Sequence, residues 1–133
     1  MKKNVFPKSK RLKSRKTIQR LFDKGKSVRS PLIRMIYQTE SAPIGNVKCG
    51  VGLSSKFFRH AVDRNRIKRL LREAYRLQQH ELALFASNNK KEFSLFMIFT
   101  GKDLPDYQAI FANVGVVLNK LVKASNELVI KNT

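Results

Sequence analysis

The spacing of hydrophobic and polar positions changes period several times along the chain, and each change marks an element. Ile18, Leu21 and Phe22 form one apolar face, which predicts a short helix capped by Ser14 or Thr17 and stopped at Gly25. From Lys26 to Gln38 the pattern becomes extended. Pro31 is unfit for a helix interior, and in the β-forming run from Leu32 to Tyr37 the residues Ile33, Met35 and Tyr37 take one face and Leu32, Arg34 and Ile36 the other. A turn over Thr39 to Asn46, with Pro43 and Gly45, leads to a second strand in which Val47, Cys49, Val51 and Leu53 alternate with Lys48, Gly50 and Gly52. Glycines inside a strand fit either a close approach to the backbone or a bulge or tight packing, and the pattern leaves both open.

The longest signal follows. From Arg64 on, Ile67, Leu70, Leu71, Ala74 and Tyr75 recur with helical spacing, and Leu77, Leu82 and Leu84 extend the predicted helix to about Phe85. Ser87 to Lys91 reads as its terminating loop. Phe93 to Phe99 is nearly all apolar, as expected of a strand covered on both sides. Pro105-Asp106 opens a last helix with Tyr107, Ile110, Phe111, Val114, Val117, Leu118, Leu121 and Val122 as its stripe. Strand, long helix and strand make a βαβ unit. The whole reads as a two-layer α/β sandwich of one domain over residues 1–133, with two helices on one sheet face and the short N-terminal helix near the other.

Charge turns this outline toward a partner. The net charge is +19 with a pI near 10.7, which points to a polyanion. Residues 1–76 hold 22 Lys/Arg and four acids, whereas residues 77–133 hold six and five, so one part of the molecule carries the excess. Residues 1–13 are rich in lysine and lack acids, as expected of a flexible basic arm. On the central helix Asn65, Arg69, Arg72 and Arg76 lie opposite the apolar stripe, flanked by Arg66 and Lys68, and Glu73 alone interrupts them. A merely solvated helix face mixes both signs. Seven Lys/Arg against two acids between Arg59 and Arg76 favour nucleic acid instead.

Other classes fare worse. Cys49 has no partner cysteine, there is no apolar run long enough to span a membrane, and the N-terminus lacks the apolar segment of a signal peptide, so the cytoplasm is the expected location. His60 and His80 lack the companion spacing of a zinc site, and no metal ligand is expected. A stand-alone nuclease would need clustered carboxylates or paired histidines, but the acids are scattered at positions 23, 40, 63, 73, 81, 92, 103, 106 and 127. A structural ribosomal protein would share the basic arm and basic helix, and composition does not separate it.

The run Ala61-Val62-Asp63-Arg64-Asn65-Arg66-Ile67-Lys68-Arg69-Leu70-Leu71-Arg72-Glu73 does separate it. It resembles the bacterial ribonuclease P protein family, whose hallmark is an Arg-Asn-Arg run in this frame. The similarity extends over residues 10–85, through Leu53-Ser54-Ser55-Lys56 and the opening Arg11-Leu12-Lys13-Ser14, and continues beyond by element order only. The resemblance implies an α+β fold with a small mixed sheet, an αβββαβα-like order and a left-handed βαβ crossover, like ribosomal protein S5 domain 2. It implies a protein that is not itself the catalyst. The RNA subunit, with Mg²⁺, removes the 5′ leader of precursor tRNA, and the protein binds the catalytic RNA and the leader, with no obligate protein partner and no membrane.

Carried onto this chain, the resemblance assigns RNA contacts to Lys56, Arg59, Arg64, Asn65, Arg66, Lys68, Arg69, Arg72 and Arg76. The leader cleft, between the sheet and the first helix, falls on Ile18, Phe22, Arg34 and Ile36. Guanidinium forks suit phosphates, and an aromatic ring stacks on any base. Ile18 and Ile36 stand where the family is often aromatic, so stacking falls mainly to Phe22. Lys56-Phe57-Phe58-Arg59 replaces the family's Lys-Lys and Gly, and the two phenylalanines read either as core plugs or as exposed stacking residues, core being favoured because an exposed pair is costly.

Overall fold

A computed structural model describes residues 11, 12 and 14–131, with side chains up to residue 127. The basic arm expected over residues 1–13 lies outside the described residues apart from Arg11 and Leu12. The element order is α1 (Arg15–Lys24), β1 (Lys26–Arg29), β2 (Ile33–Ser41), β3 (Asn46–Leu53), α2 (Ala61–Gln78), α3 (His80–Asn89), β4 (Lys91–Phe99) and α4 (Tyr107–Lys131). The sheet runs β1-β2-β4-β3, with β1/β2 and β2/β4 antiparallel and β3/β4 parallel. The βαβ crossover from β3 to β4 therefore exists, but it carries two helices rather than the one expected.

The break between the two falls at Gln79. Gln78 donates from Nε2 to the Ala74 carbonyl at 3.2 Å and to the Phe111 carbonyl at 2.9 Å, tying the end of α2 to α4. The chain turns there and α3 is redirected so that Leu82 and Ala86 enter the core against the sheet. No proline or glycine marks the break, so periodicity carries straight through it. The expected loop at Ser87 to Lys91 shrinks to Lys90, which adopts a left-handed conformation (φ 51°) and donates its N–H to the Ala86 and Ser87 carbonyls.

β2 and β3 alternate as read, whereas β4, expected to be covered on both sides, has one face buried and the other half-buried. Ile33, Met35 and Tyr37 of β2, Val47 and Cys49 of β3, and Phe93, Leu95, Met97 and Phe99 of β4 build the main core with Ile67, Leu71, Ala74 and Tyr75 of α2 and Ile110, Val114, Val117, Leu118 and Leu121 of α4. The other sheet face carries a smaller cluster of Leu12, Leu21 and Ile36, against which Ile18, Phe96 and Ile98 pack. Ser14 is the cap that forms, accepting from the Thr17 N–H at 3.4 Å, and the Gly25 N–H closes α1 on the Leu21 carbonyl. One face of the sheet thus lies under α2, α3 and α4, and α1 covers only part of the other.

Candidate nucleic-acid interface

The outer side of α2 presents the expected cations in graded exposure. Asn65, Arg66 and Arg69 are exposed along the crest, as are Lys56 and Arg59 in the loop before the helix, while Lys68, Arg72 and Arg76 are half-buried on its flanks. Arg72 leans toward the β3 edge. Partial burial and the Arg11 charge both lower its pKa. Arg11 reaches that edge because residues 11 and 12 extend the sheet: Arg11 bridges to Cys49 in parallel, and the Leu12 N–H donates to the Cys49 carbonyl at 3.1 Å. Burial pushes the Cys49 thiol up, which keeps it neutral beside these cations.

Two of the nine cationic-face residues have other duties. Arg64 sits beside the apolar stripe, and its Nη1 donates to the Phe58 carbonyl at 2.8 Å and the Arg59 carbonyl at 2.7 Å. It fixes the loop that opens α2, where His60 provides no side-chain cap, so its guanidinium is turned away from the crest. Arg76 pairs with Glu73 through two bonds, at 3.0 and 2.8 Å. The Arg76 hydrogen bond holds the Glu73 carboxyl below its usual range and, reciprocally, Glu73 raises Arg76.

The second surface is built by register. On the α1 side of the sheet, Ser27, Ile36, Phe96 and Gly50 make one row across the strands, and Arg29, Arg34, Ile98 and Gly52 the next. Phe22 of α1 is 48% exposed and meets Phe96 edge to face, ring centroids 5.7 Å apart. A Cβ on Gly50 or Gly52 would fall 2.8 or 2.9 Å from the Phe96 ring. Tight packing is therefore why those glycines stand in β3: the ring lies flat where any side chain would lift it. Arg34 adds charge, and its buried Nε has no hydrogen-bond partner among the described residues.

Of the expected cleft residues, Phe22, Arg34 and the half-buried Ile18 border this surface. Ile36 does not: it is 2% exposed, packed beneath α1 with Leu12 and Leu21, and serves as floor. Phe96 and Ile98, unassigned from the sequence, take its place. The nearly continuous apolar run of β4 hid them, and only the structure separates its faces: Phe93, Leu95, Met97 and Phe99 are buried and the residues between them are half-buried. The Phe57-Phe58 pair also divides: Phe58 is 5% exposed and packs on Phe99, while Phe57 is 44% exposed. Among the described residues no group of three or more His, Cys, Asp or Glu is placed to hold a metal ion, and no helix is long and apolar enough to cross a membrane.

A family model for ribonuclease P matches residues 6–122. The chain belongs to the ribonuclease P protein family. The match runs well past the region of close motif resemblance and into α4. The ribonuclease P protein component of Porphyromonas gingivalis W83 is 34% identical over 104 residues, 77% of this chain and 76% of that one. That of Chlorobaculum tepidum is 30% identical over 135 residues, 94% and 86% of the two chains. The Staphylococcus aureus RNase P protein superposes with a TM-score of 0.62 at 22% identity, covering 86% of this chain and 96% of that one. The Thermotoga maritima RNase P protein does so with 0.64 at 20%, covering 82% and 96%, a likeness of fold. As a ribonuclease P protein, the chain is a component of the ribonucleoprotein endonuclease of tRNA 5′ processing, and RNA is its partner.

Proposed function

We propose that this ribonuclease P protein uses its two surfaces for two different RNAs. The α2 crest, with Arg66 and Arg69 at its centre and Lys56, Arg59 and Arg72 around it, binds phosphates of the catalytic RNA. The channel beside α1 receives the single-stranded 5′ leader of precursor tRNA. The observation that carries this reading is the Phe22–Phe96 ring pair, with Phe96 seated on two glycines and Arg34 in the next row. A groove with aromatic faces and a cation along its wall accepts bases of any identity while gripping the backbone. Leaders of varied sequence need that tolerance.

The protein contributes binding and placement, and the Mg²⁺ that serves cleavage is held by the RNA subunit. The spread of the acids over the fold supports this, since hydrolysis by bound metal needs converging carboxylates or histidines. The cytoplasm, where precursor tRNA is made in a bacterium, is the place of action.

Reconstitution tests the proposal. The RNA subunit with this protein should cleave precursor tRNA in Mg²⁺ and bind it more tightly than mature tRNA, and protein freed of RNA should cleave nothing. Cleavage by RNA-free protein, or equal affinity of the holoenzyme for both tRNAs, would refute the assignment of roles.

A further inference from the structure

The loop between β3 and α2 sends its two phenylalanines in opposite directions, and only one is accounted for by packing. Phe58 goes inward. Phe57 stands in solvent with the Lys56 Nζ 5.5 Å and the Lys102 Nζ 5.7 Å from its ring centroid. Lys102 comes from the β4–α4 connection, so two loops distant in sequence meet at this ring. Arg59 follows on the same loop and is exposed, and the crest of α2 begins just beyond it.

We propose that Phe57 is a stacking platform for an unpaired base of the RNA bound by α2, with Lys56 and Lys102 holding the phosphates on either side of that base. The inference rests on the reading of α2 as the face for the catalytic RNA and extends that face around the loop to Lys102. The chemistry favours a nucleotide over other anions. Both lysines lie near the outer range of a cation–π contact, so each can turn to a phosphate without losing a strong bond. An acidic protein surface would engage the lysines and leave the ring in water, whereas a nucleotide uses ring and cations together. Because every base has a π-face, the contact asks for an unstacked base and not for a particular one.

The chain contains no tryptophan, so Phe57→Trp installs a single fluorescent reporter at the site. The probe is the RNA subunit of ribonuclease P, transcribed from the same genome, with affinity measured in parallel by filter binding. Stacking predicts quenching of Trp emission that saturates together with binding. Phe57→Leu, which keeps apolar bulk and loses the aromatic face, should weaken binding about 5- to 150-fold at an unchanged melting temperature. Lys102→Ala should lower the salt dependence by about one unit of slope. Binding without a change in emission, or full affinity in Phe57→Leu, would overturn the platform and leave the α2 face standing. A loss in Lys102→Ala alone would do the same and leave Lys102 as a phosphate contact with no base stacked beside it. Failure of the unaltered protein to bind the RNA would overturn both.

Discussion

The α2 crest and the channel beside α1 are both cationic surfaces of one small domain, yet they are made in different ways. The crest is local: its side chains come from one helix and the loop before it, and its position depends on a single apolar stripe, Ile67, Leu71, Ala74 and Tyr75, pinning the opposite side to the core. The channel is assembled from α1, β2, β3 and β4, and its aromatic floor exists because register sets Phe96 beside Gly50 and Ile98 beside Gly52. A surface built from one helix tolerates changes one residue at a time. A surface built from register depends on whatever holds its elements together.

Loosening α1 while leaving α2 untouched should separate the two surfaces most strongly. Leu21 is the fully buried residue of α1, clustered with Leu12 and Ile36. Leu21→Ala should cost about 2–5 kcal/mol of stability, read as a lower melting temperature, because the small cluster cannot refill the space. At temperatures where the variant is folded, precursor tRNA should lose affinity and the catalytic RNA should not. Equal loss for both RNAs would show that the two surfaces are not separable.

Phe22→Ala asks the same question of the ring alone. With nearly half of Phe22 exposed, most of its effect belongs to the surface rather than to folding. Holoenzyme affinity for precursor tRNA should fall by about 1–3 kcal/mol, with mature tRNA bound as before. A large drop in melting temperature together with equal loss for both tRNAs would move Phe22 into the core and leave leader binding to Phe96, Ile98 and Arg34.

How far each surface was legible in the sequence follows from the same contrast. The crest could be read at sight, because helical period and charge fall on the same residues. What periodicity missed there were two side-chain contacts, Arg64 to its own loop and Arg76 to Glu73, which depend on where a guanidinium turns rather than on where its Cα lies. The channel was half legible. Alternation in β2 put Arg34 and Ile36 on one face, but only the coverage by α1 decides that Ile36 is floor and Arg34 is wall. The continuous apolar run of β4 hid Phe96, since its face meaning depends on strand order. The break at Gln79 left no sequence mark: no proline or glycine stands there, and the bond from Gln78 to the Phe111 carbonyl joins residues 33 apart.

Removing one cation from the crest gives a smaller and more uniform effect. Arg69→Ala should reduce the salt dependence of binding to the catalytic RNA by about one unit of slope without changing the ratio between precursor and mature tRNA. Arg64→Ala should behave differently: its loss frees two loop carbonyls and should appear as a lower melting temperature. If both variants change the slope alike at equal stability, Arg64 belongs to the interface after all.

The smallest expected effect concerns the one acid among these cations. Glu73 has a depressed pKa because Arg76 donates to it, so the pair contributes stability above the ordinary glutamate range and loses it as pH falls through the lowered value. The pair is solvent-accessible, and screening keeps that contribution small. Glu73→Gln should therefore leave the melting temperature nearly unchanged at neutral pH and flatten its decline in acid. RNA binding is the more informative measurement. Removing the carboxylate takes the one negative charge from this end of the crest, and the salt dependence for the catalytic RNA should steepen by up to about one unit of slope. If slope and affinity stay as they were, the crest ends at Arg72, and the Glu73–Arg76 pair fixes the end of α2 near Tyr107 without meeting RNA.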